Sequence, residues 1–140
     1  MLADDPRAIE AMIRTPGLAV IVDGYNVSML AWPGASAAEQ RERLCDALAE
    51  FQLRFRCEVT VVFDGAEKVV AMPGTPRGVR VLFSRKGQTA DEVIRQLVRA
   101  EPPGRPVVVI SSDREVADGV RRHGAYPLSS DTLLRRLARG

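Results

Sequence analysis

The chain has 140 residues, a formal net charge of +2 and an apolar fraction of 46%. That is the make-up of one globular domain with enough chain for a real core. No apolar run approaches the roughly 18 residues of a membrane span, and "MLADDPRAIE" brings acids early without an apolar leader segment, so a cytoplasmic protein with no membrane contact is expected. One histidine, His123, and two unclustered cysteines, Cys45 and Cys57, leave no donor set for zinc, and the cysteines read as small buried apolar groups.

Residues 1–17 read as an N-terminal extension, a short helix or loose chain, ahead of a domain at 18–140. That domain opens with "LAVIVD" at 18–23, an all-apolar strand that delivers Asp23, then Gly24, Tyr25 and Asn26, at its last step. The next signal is a capping box, Ser36 to Glu39. After it Leu44, Leu48, Phe51 and Phe55 mark one stripe of a helix of about five turns. "VTVVFD" at 59–64 is a second strand buried on both faces. The irregular stretch 65–78 leads to "VRVLFS" at 79–84, which alternates and reads as half exposed.

A second box, Thr89 to Glu92, starts a helix with Val93, Ile94, Leu97 and Val98. "PVVVISSD" at 106–113 is a third doubly buried strand. A third box, Ser112 to Glu115, starts a helix through Val116, Ala117 and Val120 that ends at Gly124. "AYPLS" at 125–129 is a strand that Pro127 assigns to an edge, and a last helix runs from Thr132 to Ala138. All-apolar strands alternating with helices predict a doubly wound α/β domain whose sheet is mostly parallel.

In such a fold ligands bind beyond the carboxyl ends of the strands. Asp23 and Asp64 end strands there, while Asp91 and Asp113 open helices. Asp91 shares a helical face with Ile94 and Val98, and Asp113 shares one with Val116 and Val120, so both are expected to face the sheet. Asp118 lies about 140° from Asp113 and should face water. With capping assigned to Thr89 and Glu92, and to Ser112 and Glu115, Asp91 and Asp113 remain over. Four gathered carboxylates repel unless a cation or a raised pKa relieves them. Oxygen donors without His or Cys select Mg²⁺ or Mn²⁺, which can activate water and neutralise a phosphodiester. Asp64-Gly65 also has a simple reading as a turn. His123 caps or packs at a helix end. Arginines and a lysine gather at Arg77, Arg80, Arg85 and Lys86, at Arg121 and Arg122, and at Arg135, Arg136 and Arg139, as a phosphate backbone or a solvated helix face requires.

The elements "IVDGYNV", "VVFDG", "SRKGQTADEVI" and "VVVISSDREV", in this order, resemble the NYN domain of the YacP-like type, a branch of the PIN-domain nucleases of bacteria. The resemblance spans residues 18 to 137. It implies a three-layer α/β/α PIN-like domain at 18–140 and a metal-dependent ribonuclease, with endonucleolytic cleavage expected. By position, Asp23, Asp91 and Asp113 become the metal-site acids and Asp64 completes the pocket. Asn26 orients ligands or substrate there. Ser112 bonds a carboxylate or a phosphate, or caps a helix; Glu92 is committed to capping. Arg85 and Lys86, with Arg80 and Arg77 second, would hold the RNA backbone. Tyr25 stacks on a base or packs its ring and bonds its hydroxyl. The implied cofactor is Mg²⁺ or Mn²⁺, and the implied partners are RNA and the ribosome or another RNA-processing protein. Two other readings remain: a non-catalytic RNA-binding module, and the toxin of a toxin–antitoxin pair.

Overall fold

Five parallel strands form one sheet in the order β3-β2-β1-β4-β5. The protein is described from a computed structural model, which describes residues 6–65 and 78–139. The strands are β1 (Ala19–Asp23), β2 (Glu58–Phe63), β3 (Val79–Phe83), β4 (Val107–Ile110) and β5 (Tyr126–Leu128). The helices are α1 (Pro6–Ile13), α2 (Gly24–Ala31), α3 (Ala37–Phe55), α4 (Ala90–Ala100), α5 (Arg114–Arg121) and α6 (Ser130–Ala138).

The three all-apolar runs are the three central strands, because only a strand covered on both faces can bury every side chain. The alternating β3 and the proline-bearing β5 take the two edges. Alternation along each strand splits the interior into two cores. Leu18 just before β1, Val20 and Val22 of β1, Val59, Val61 and Phe63 of β2, and Val108 and Ile110 of β4 pack under α1, α2, α3 and α6. Ala19 and Ile21, Val62, and Val107 and Val109 face the other way, under α4 and α5. The result is a three-layer α/β/α domain, and Ala8, Ile9 and Ile13 of α1 belong to the larger core.

Three elements depart from the sequence reading. Helix α2 follows β1 directly, although Gly24, Tyr25 and Asn26 are poor helix formers. Tertiary contacts hold it: Val27 is fully buried, and the Ser28 hydroxyl donates to Gln40 Oε1 at 2.9 Å inside the protein. It stops at Trp32, just before Pro33. Helix α5 is capped by Asp113, not by Ser112: Asp113 Oδ1 accepts the Glu115 N–H at 2.9 Å. Helix α6 begins at Ser130, two residues earlier than expected, because Ser129 accepts the Thr132 N–H. The other two caps stand as expected, Ser36 accepting from Glu39 N–H and Thr89 from Glu92 N–H.

Candidate functional site

The alternation that divides the core also aims the polar residues at the strand ends. Asp23 follows Val22, Asp64 follows Phe63 and Ser111 follows Ile110, so all three belong to the face covered by α4 and α5. The chain order supports them there. β1 lies between β2 and β4, so the connections diverge at its carboxyl end, which is the switch point where open α/β sheets bind ligands. Helix α4 brings Asp91 in its first turn, and α5 starts at Asp113.

Two glycines let the acids sit there. A Cβ on Gly24 would lie 2.4 Å from the Phe63 ring, so the chain can turn from β1 into α2 only with hydrogen in that place. A Cβ on Gly65 would lie 1.8 Å from the Ser84 carbonyl oxygen, and the Gly65 N–H donates to the Ser84 hydroxyl at 2.8 Å. Gly65 is thus a point of backbone contact with the end of β3, which fixes Asp64 beside α4.

Asp23 is partly buried at the end of β1. Burial pushes its carboxyl up to about 6 from 3.8. A hydrogen bond from Ser111 opposes that rise, and the charges of Asp64, Asp113 and Asp91 add to it. Ser111 Oγ donates to Asp23 Oδ2 at 2.8 Å and accepts the Asp113 N–H at 3.0 Å, so one hydroxyl joins the end of β1 to the start of α5. Ser111 was missed in the sequence, where Ser112 drew attention; strand parity is the signal that singles it out.

The remaining acids are partly committed. Asp64 Oδ1 accepts the Ala90 N–H at 2.7 Å and so anchors the N-terminus of α4. Asp113 is exposed at the rim, and one of its oxygens caps α5, which corrects the expectation that it is left over and aimed inward. Asp91 is partly buried and pairs with Arg95, Nε to Oδ1 3.2 Å. Asp118 faces solvent as expected and pairs with Arg121.

Asn26 ties three elements together. Its Oδ1 accepts the Ser112 N–H at 2.8 Å and the Ser130 hydroxyl at 2.6 Å, while Ser112 Oγ accepts the Ser130 N–H at 2.9 Å. With Oδ1 used twice, the group Asn26 offers a ligand is its Nδ2 amide, a donor suited to a phosphate oxygen and unsuited to a cation. Tyr25 packs its ring 4.9 Å from Phe63, and its hydroxyl accepts from Arg41 at 2.7 Å. Arg85 and Lys86 are exposed in the turn before α4, and Arg80 is exposed on the edge strand β3. Arg77 lies outside the described residues. His123 sits at the end of α5 with Nδ1 3.0 Å from the Gly119 carbonyl.

The donor set fits a hard divalent cation in kind, since the acids bring only oxygen, and Asp91 Oδ1 is buried without a hydrogen-bond partner. The spacing is open: among the described residues no three acid, histidine or cysteine side chains are close enough to hold an ion together. Among the described residues, no helix is long and apolar enough to cross a membrane.

Comparison with known proteins agrees with this architecture. Residues 20–140 match the family of YacP-like NYN domains. The chain is 32% identical to the uncharacterized protein YacP of Bacillus subtilis, over 84% of this chain and 74% of that one. The crystal structure of Rae1 (YacP) from Bacillus subtilis superposes with a TM-score of 0.72 at 31% identity, and a Trp-to-Leu variant of it with 0.73 at 28%. Each covers 86% of this chain and 74% of the other. The chain therefore belongs to the YacP-like NYN domains, a branch of the PIN-like nuclease family.

Proposed function

We propose that the protein is a Mg²⁺- or Mn²⁺-dependent ribonuclease that hydrolyses RNA phosphodiester bonds at the carboxyl edge of its sheet. The observation that carries this reading is the gathering of four acids at the β1 switch point, where Asp64, Asp113 and Asp91 lie near enough for their charges to add to the rise that burial imposes on Asp23. Asp23, Asp91 and Asp113 would hold the ion, with Asp64 completing the acidic surround. A divalent cation there supplies Lewis acidity toward water and phosphate oxygen, and offsets charge on the phosphodiester.

The chain's own residues divide the remaining work. Ser111 fixes the Asp23 carboxylate, so that its oxygens do not rotate between partners. The Asn26 amide donates toward a phosphate oxygen from the same edge. Arg85 and Lys86, at the mouth of α4, would hold the RNA backbone by charge, with Arg80 along the edge strand. With Asn26 Oδ1 and Ser112 Oγ both engaged, Ser112 acts through the loop it holds. The choice of RNA rests on this surface, or on a partner such as the ribosome or another RNA-processing protein.

Incubating the purified protein with structured and unstructured RNA, in Mn²⁺ and in EDTA, tests the reading directly. Cleavage should require Mn²⁺ and vanish in Asp23→Asn. Cleavage that persists in EDTA, or in that variant, rules it out. The open spacing of the acids favours one other reading, a non-catalytic RNA-binding NYN module. It predicts RNA binding with no cleavage under any ion.

A further inference from the structure

Four acids meet at the site, and one of them already has a cation. Arg95 stands one turn beyond Asp91 on α4, with Nε 3.2 Å from Asp91 Oδ1. Both atoms are buried, yet neither completes a hydrogen bond. Guanidinium and carboxylate bind well when the planar fork meets both oxygens in line. A single contact without hydrogen-bond geometry is a weaker one, held by charge.

The position of the arginine is nevertheless built. Its stem passes over Gly119 of α5, where a Cβ would lie 2.9 Å from Arg95 Cδ. With any larger residue at 119 that stem would have to shift from its place between the two helices. Side chains on a helix lean toward its N-terminus, and this directs the guanidinium to the acid-bearing end of α4. The Arg95 side chain as a whole remains 40% exposed although its Nε is buried, so it has solvent to move into.

We propose that Arg95 is a stand-in counter-ion, which holds Asp91 in the metal-free chain and yields it to the divalent cation, thereby setting the affinity of the site. This rests on the metal-site reading above. It makes Arg95 a positioning residue that acts through Asp91. A fixed positive charge beside a ligand carboxylate opposes a second cation, and neutralising it should tighten ion binding by roughly tenfold at a partly solvated site. Salt screens exposed charges, so the gain should shrink as ionic strength rises.

Isothermal titration of Mn²⁺ into wild type, Arg95→Gln, Arg95→Lys and Arg121→Gln tests the proposal. Glutamine keeps the stem over Gly119 and removes the charge; Arg95→Met repeats the charge loss with a long stem should the glutamine variant fold poorly. Arg121 pairs with Asp118 on the solvent side of α5 and reports the effect of net charge alone. The expected result is a Kd roughly tenfold lower for the uncharged Arg95 variants, with Arg95→Lys and Arg121→Gln close to wild type. Equal or weaker binding by Arg95→Gln overturns the proposal. So does equal tightening in Arg121→Gln, or tightening in Arg95→Lys, which would trace the effect to shape. Equal affinities in all proteins remove this inference alone, whereas no Mn²⁺ binding in any of them removes the metal site with it.

Discussion

Replacing Asp23 by asparagine isolates the electrostatic strain at the sheet edge. In the folded chain burial, and then the charges of Asp64, Asp113 and Asp91, push this carboxyl up to about 6 from 3.8. The fold therefore prefers the neutral acid more than the unfolded chain does. The stability this group contributes is complete below the unfolded value of 3.8, declines between there and about 6, and is lost above the folded value. At about 1.4 kcal/mol per pKa unit, the ionised carboxylate costs the fold about 3 kcal/mol above neutral pH. Asparagine has the same shape, keeps an oxygen that accepts from Ser111, and carries no charge. Asp23→Asn should thus be more stable than wild type by about 2–3 kcal/mol near neutral pH in EDTA, or roughly 10 °C in Tm for a chain of this size. Below the unfolded pKa the two proteins should be alike. Adding Mn²⁺ should cancel the difference at a hundred times Kd, where wild type gains about 2.7 kcal/mol and the variant much less, and reverse the order at a thousand times Kd, where the gain is about 4.1 kcal/mol. Urea titrations across acid and neutral pH, with EDTA and with Mn²⁺, measure each term. The reasoning fails if the variant unfolds at or below wild type at neutral pH in EDTA, or if its advantage persists in acid.

Three further outcomes follow from the same geometry. Arg85→Ala with Lys86→Ala should weaken RNA binding and flatten its salt dependence by about 0.7 unit per lost contact on single strands, read from binding isotherms over a salt series; an unchanged slope moves the RNA path elsewhere. Glu92→Gln should keep most of the activity, because the Thr89 cap uses only the backbone N–H of Glu92, whereas Asp91→Asn should lose it; equal loss in a cleavage assay makes Glu92 a ligand. Gly65→Ala forces a Cβ against the Ser84 carbonyl and should cost roughly 3 kcal/mol or more in urea unfolding, a loss that metal does not restore; a variant as stable as wild type would show that the backbone there moves freely.

Much of the frame was legible in the chain. Unbroken apolar runs at β1, β2 and β4 can be buried only in the middle of a covered sheet, and Pro127 belongs at an edge, so strand type and strand place follow from composition and period. Helices α3 and α4 announced themselves by cap and stripe. The four acids were legible as strand-end and helix-start residues of one edge. Helix α2 was not, because its local sequence opposes a helix and what holds it comes from farther along the chain, Phe63 against Tyr25 and Gln40 against Ser28.

What each acid does was likewise decided by tertiary structure. Hydrogen-bond partners depend on which backbone amides arrive nearby, and spacing along the chain does not carry that. Asp64 meets Ala90, 26 residues on; Ser111 meets Asp23 across 88; and Asn26 meets Ser130 across 104. Asp113 took the cap expected of Ser112 for the same reason, since Ser112 is taken by the start of α6. Arg95 passed unnoticed because its partner across the helix pair is a glycine, and only packing shows what that glycine admits. The sequence determined which residues reach the edge of the sheet, through two periods that are local and rigid. Long-range packing determined which of their oxygens are spent on the fold and which remain for chemistry.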